Sequence, residues 1–178
     1  MTSLHTLAIT PVLRGLHNIT AILKKAQDSD IDPAAIITSR IHPNMLPFAT
    51  QISFFCIMAS GIPSALNPAL PSSPLDPLED EPTLDTLISR IAKTISFLDS
   101  IAPEDLNGRE DFVVKLDLSA GTVHVEFSAV DYVGLHIHPN FWFHVVTTYN
   151  LLRGLGLDIG KGDFLNGAKL HEWKVQKA

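Results

Sequence analysis

Residues 112–152 read FVVKLDLSAGTVHVEFSAVDYVGLHIHPNFWFHVVTTYNLL, and inside this stretch the apolar period changes from two to between three and four. Phe112, Val114, Leu116 and Leu118 alternate with Val113, Lys115 and Asp117. After Ser119-Ala120-Gly121, Val123, Val125 and Phe127 alternate with His124 and Glu126. Strict alternation marks strands with one wet face, so this half is a hairpin. Ser128, with Asp131 three residues on, is a capping pair that opens a long helix expected to run to about Leu152, ahead of Gly154. A chain that shows the strand period here and the helical period elsewhere is a helical bundle with a hairpin inserted before its last long helix.

Upstream, the helical period holds. Ile9, Leu13, Leu16, Ile19 and Leu23 repeat at helical spacing from about Ser3 to Lys25, with a kink or late start expected at Pro11. Asp32 followed by Pro33 is a helix restart reaching about Arg40. A link over 41–47 leads to a strongly apolar helix, opened by Pro47 and expected to end near Ser60. A helix apolar on most sides belongs in the middle of a bundle. Residues 61–82, rich in proline and serine, read as a long surface loop. Thr83 then caps a helix whose stripe is Leu84, Leu87, Ile88, Ile91, Ile95 and Leu98, with Asp85, Arg90 and Lys93 facing water. From Asp158 an ordered loop is expected, with 168–178 as a tail. The expectation is a single mainly helical domain over 1–178, with four main helices and the hairpin before the fourth.

Composition limits the function classes. A chain of 178 residues with 46% hydrophobic and 18% charged residues suits one core. A net charge of −6 with no basic stripe argues against nucleic acid. The single cysteine, Cys56, forbids an intrachain disulfide. The first residues lack the pattern of a signal peptide, and no uninterrupted apolar stretch reaches the roughly 18 residues of a membrane span. A soluble cytoplasmic protein with a small-molecule ligand, and neither membrane nor nucleic-acid partner, is the expectation.

Chemistry concentrates between His136 and His144. Residues four apart stack on one helix face, so His136, Asn140 and His144 form a polar stripe among Phe141, Trp142 and Val145. Burying imidazoles and an amide is costly unless they find partners, which points to a network or a site. Pro139 removes one backbone hydrogen bond and can free the carbonyl of Leu135, as happens at kinks. Two mechanisms compete. In the favoured one no cofactor is needed: His144 is a general acid or base near neutral pH, Asn140 orients a carbonyl or water, and Tyr149 is an acid partner. Phe141 and Trp142 wall the pocket, His136, His138 and His17 line it, and His42 and Asn44 stand at its mouth. In the other, His17, His136 and His144 hold a divalent metal (zinc, nickel, iron or manganese). Against it, His136 and His144 stand eight apart, roughly 12 Å along a helix axis. Cys56 within Phe54-Phe55-Cys56-Ile57-Met58 reads as a buried inert thiol. His124 reads as solvated, and no phosphate loop, nucleophile elbow or paired-cysteine motif occurs.

Several motifs together resemble the DUF1993 family. They are Arg14-Gly15-Leu16, Arg40 with Pro43-Asn44-Met45 and Pro47, Gln51, Cys56, and Arg90-Ile91-Ala92-Lys93-Thr94. The specific part is Pro139-Asn140-Phe141-x-Phe143-His144-Val145-x-Thr147-x-Tyr149-x-x-Leu152-Arg153 followed by Ile159-Gly160-Lys161-x-Asp163-Phe164. The resemblance spans about residues 4–167. It implies a DinB/YfiT-like four-helix bundle of up-down-down-up type, often a homodimer, in a superfamily that often binds a metal through three histidines. Two of those stand in a His-x-x-x-His pair, and members are linked to thiol-dependent transfer and to hydrolysis. Here Asn140 and His144 fall where that pair would lie. Asn44 and Ile57 replace acidic residues common in the family, and His136 and His138 lie outside its pattern. Such divergence implies a specialised small-molecule role, as in secondary metabolism. The enzymatic expectation is an isomerase, cyclase or lyase. The alternatives are a metal-dependent transferase or hydrolase, and a non-catalytic module that binds a hydrophobic ligand or dimerises.

Overall fold

The structure, a computed structural model, describes residues 2–118 and 122–172. The hairpin turn Ser119-Ala120-Gly121 and the end of the tail lie outside the described residues. The first helical run breaks as Pro11 predicts. Ser3 caps α1 (Leu4–Ala8), the chain bends at Ile9, and α2 (Thr10–Gln27) starts with the proline in its first turn. Pro at this position costs nothing because its missing N–H would have had no partner. Asp32 accepts from the N–H of Ala34 at 3.0 Å and caps α3 (Pro33–Thr38).

Helix α4 (Phe48–Leu66) is longer than its composition predicts, so the connection that follows is 67–83 and not 61–82. Gly61 and Pro63 both argue for a stop. A helix-interior proline costs about 3 kcal/mol. Ile62 and Leu66 are wholly buried, and each such side chain returns about 1.5–3 kcal/mol, so packing outweighs propensity. By length and composition α4 is also apolar enough to cross a membrane, which no uninterrupted apolar run in the sequence predicts. Its polar residues Thr50, Gln51, Ser53 and Ser60 interrupt that run, and most of the helix is buried inside the bundle.

Thr83 and Thr86 form a reciprocal cap for α5 (Leu84–Asp99), whose buried stripe includes Leu84, Leu87, Ile91 and Leu98. A one-turn helix, α6 (Pro103–Leu106), precedes the hairpin β1 (Val113–Leu118) and β2 (Val123–Ser128), paired from Val113↔Ser128 to Leu118↔Val123. Val114 is buried, while Val113, Lys115 and Asp117 face water.

The last long helix departs from expectation. Ser128 caps α7 (Ala129–Asp131), a π turn follows over Tyr132–Ile137, and only then does α8 (His138–Gly154) begin. Within the π turn the His138 N–H bonds to the carbonyl of Val133, five residues back. Pro139 thus stands at the start of α8, and the irregularity it predicts lies just before it. The segment expected as a loop carries α9 (Lys161–Asn166), which docks on α2 through Asn18 to the Leu165 carbonyl and Lys25 to Asp163.

Helix directions follow from end-to-end contacts. Gln27 at the end of α2 bonds Asp85 at the start of α5, so these two run antiparallel. Asn67, just past α4, bonds the carbonyl of Asp105 in α6, the turn of helix that follows α5, so α4 and α5 run parallel. Gln51 meets His144 while Phe55 meets Phe141, so α4 and α8 run antiparallel. The order is up-down-down-up, and the segment 67–83 returns along α5.

Candidate functional site

Gln51 lies in the first turn of α4, 1% exposed. Its Nε2 donates to the carbonyl of Leu46 at 2.9 Å, which turns Oε1 toward α8. Nδ1 of His144 meets that oxygen at 2.7 Å. An amide oxygen only accepts, so Nδ1 carries the proton and Nε2 keeps its lone pair. Among the described residues Nε2 has no hydrogen-bond partner, yet it is not sealed from solvent. The imidazole stacks on Phe54 with ring centres 5.2 Å apart and meets Phe143 edge-on at 5.2 Å. Thr148 donates to the backbone carbonyl of His144 at 2.9 Å, so this buried hydroxyl is satisfied within the helix. Burial holds the His144 pKa below its ordinary value, because the charged form loses hydration. The result is a neutral imidazole with a fixed tautomer, its basic nitrogen outward between two phenylalanines.

A family model described as Domain of unknown function (DUF1993) matches residues 4–165. The chain belongs to the DUF1993 family. A crystal structure of a DinB family member protein from Shewanella denitrificans superposes on this DUF1993 chain with a TM-score of 0.80. It covers 98% of this chain and 96% of that one at 22% identity, a likeness that shows the fold. No curated protein matches.

The expected stripe divides in this DUF1993 chain. His136, inside the π turn, stacks on Tyr132 at 5.5 Å and leans on Phe127 of the hairpin, whereas His144 packs on α4. Burial lowers the His136 pKa and raises that of Tyr132 to about 12. Asn140 donates from Nδ2 to the His136 carbonyl at 2.6 Å, so its amide first serves the irregular backbone. His138 reaches α1, with Nε2 3.0 Å from the Leu7 carbonyl.

Phe141 is wholly buried against Phe55 and belongs to the core, not to a pocket wall. Trp142 packs on Phe141 and Phe164. Tyr149 lies about 140° around the helix from His144, at 100° per residue, and meets Phe164, so it does not face the imidazole. His42 and Asn44 are exposed and bond each other at 2.6 Å in the link 41–47. Cys56 is fully buried, and burial pushes its thiol up to about 12, which leaves it inert. His124 pairs with Asp117 on the wet face of the hairpin, at 2.6 Å.

The three-histidine metal set does not assemble. Gly15 faces the Phe141 and Trp142 rings, and His17 follows about 200° around α2, off that contact. His136 and His144 serve different elements, and Nδ1 of His144 is occupied by Gln51. Among the described residues no three His, Cys, Asp or Glu side chains converge as ligands would. Gln51 and Phe54 are the neighbours that reading the His136–His144 segment alone misses. A lone amide in the first turn of a helix as apolar as α4 is the available signal, because it must find a partner inside.

Proposed function

We propose that this chain is a small-molecule enzyme that moves protons with His144, of isomerase, cyclase or lyase type and without a redox cofactor. The observation that supports it is the 2.7 Å bond from Nδ1 of His144 to Gln51. That bond fixes the tautomer, and a depressed pKa keeps Nε2 unprotonated at neutral pH, the state a general base requires. Phe54 and Phe143 offer flat apolar surface to a substrate and displace water from the transferring proton. Asn140 lies one turn before His144 on α8 and retains Oδ1 to position a hydroxyl or a polarised group.

The test is proton exchange at carbon. With a panel of enolisable carbonyl compounds in D2O, NMR detects protein-dependent deuterium uptake. His144→Gln is expected to abolish it, and Asn140→Ala to slow it about tenfold. A rate unaffected by His144→Gln ends this reading. Elemental analysis of tag-free protein is the companion measurement. Stoichiometric zinc, nickel, iron or manganese would favour a metal-dependent transferase or hydrolase.

A second reading rests on exposure. Phe54, Ile57, Phe143 and Val146 lie on the adjoining helices α4 and α8 and remain 38–55% exposed. Such a face is what two copies of a chain bury between them. Sedimentation that gives a dimer in wild type and a monomer in Phe143→Glu would support it.

A further inference from the structure

Arg90, on α5, is half-buried beneath the returning segment 67–83. Its Nη1 donates to the backbone carbonyl of Asp76 at 2.8 Å, a neutral acceptor. Its Nε is buried and has no hydrogen-bond partner among the described residues. A guanidinium whose Nε is buried without a partner and which forms no ion pair among the described residues is unusual in a chain of net charge −6, where acids outnumber bases. One turn on, Lys93 stands 3.7 Å from the Asp76 carboxylate, and both side chains are largely exposed, so this pair holds weakly. Between α5 and the segment lies a cleft of about 150 Å³. Leu75, Leu78 and Leu87 supply apolar walls, Ser89 adds a hydroxyl, and Glu79 is the other acid at the rim. A volume of this order takes a molecule about the size of benzene.

We infer that this cleft binds a small carboxylate, its head group on Arg90 and its short apolar tail against Leu75, Leu78 and Leu87. With Nη1 spent on Asp76, the Nε–Nη2 edge remains, which is the side-on fork that grips a carboxylate through two parallel bonds. Entry keeps the Nη1 bond to the Asp76 carbonyl and exchanges the weak Lys93–Asp76 contact for one to the ligand. The site is independent of His144. Arginine and not lysine is the anchor because only its planar fork pairs both oxygens at once.

The experiment uses sodium butyrate as probe, followed by amide chemical shifts in the full chain. Saturable shifts are expected in residues 75–79 and around Arg90, with millimolar affinity. Arg90→Gln should weaken binding at least about tenfold, Arg90→Lys nearly as much, and Lys93→Gln about threefold. Arg109→Gln, whose guanidinium lies over the Phe112 ring and does not line the cleft, should leave it unchanged. Because Lys93 is exposed, its variant retains the fold and serves if an Arg90 variant does not. The inference is overturned by any of three results: butyramide binding as well as butyrate, inorganic phosphate binding as tightly, or shifts at about 50 mM butyrate that persist in Arg90→Gln.

Discussion

Gln51 decides what His144 can do, because the acceptor at Nδ1 sets the base strength at Nε2. In Gln51→Glu an anionic partner replaces a neutral one, and an opposite charge favours the protonated imidazole. The His144 pKa, read by an NMR titration of its ring, should rise above the ordinary histidine range. In Gln51→Leu the Nδ1–H is left in an apolar site, at an expected cost of about 1–3 kcal/mol in denaturant unfolding. An unchanged titration in the glutamate variant would show that the contact does not govern the ring. At this scale the sequence is half legible. His144 and Asn140 stand out as polar residues on an aromatic helix. Their partners do not, since periodicity assigns a residue to a face but not the element it meets. Phe141 and Trp142 fit a pocket wall as well as a core until α2 is seen to close on them.

Helices α2 and α8 touch where Gly15 sits. A Cβ built there would lie 2.9 Å from both the Phe141 and Trp142 rings, and Phe141 has no room to withdraw. Helix propensity favours Gly15→Ala by about 1 kcal/mol, while overpacking costs about 1–3 kcal/mol. The steric term should prevail, so the variant is expected to lose up to about 2 kcal/mol, measured by urea denaturation. Equal or greater stability would mean that the two helices separate easily. Existence and type of the long elements were readable from period, and caps were readable at Thr83 for α5, Asp32 for the short α3 and Ser128 for the short α7. Endings were harder. Pro63 and Gly61 carry a local stop signal that burial of Ile62 and Leu66 overrides, and Pro139 points to an irregular helix without saying that it takes the form of a π turn.

For the whole molecule, pH acts through the two imidazoles whose charged forms burial disfavours, His144 and His136. Well above pH 6.5, the ordinary histidine value, both are neutral whether the chain is folded or not, and they cost nothing. As pH falls through that value the unfolded chain takes up protons first, so the fold loses stability until the depressed folded pKa values are passed. The thermal midpoint should therefore drop by a few degrees between about pH 7.5 and 5. His144→Gln and His136→Gln should each flatten that slope, and parallel slopes in both variants would assign the effect to other groups.

The parallel course of α4 and α5 also bears on how the chain reaches this state. Two helices that run in the same direction cannot close as a hairpin of neighbours. The intervening 67–83 must first be laid back along the bundle, with an entropic cost that grows as the logarithm of loop length. The partner that covers α4 most, α8, arrives only after α5 and the β-hairpin have been passed. Early collapse can form the β-hairpin but cannot yet cover α4 with α8, and this bundle should fold more slowly than up-down-up-down bundles of similar size.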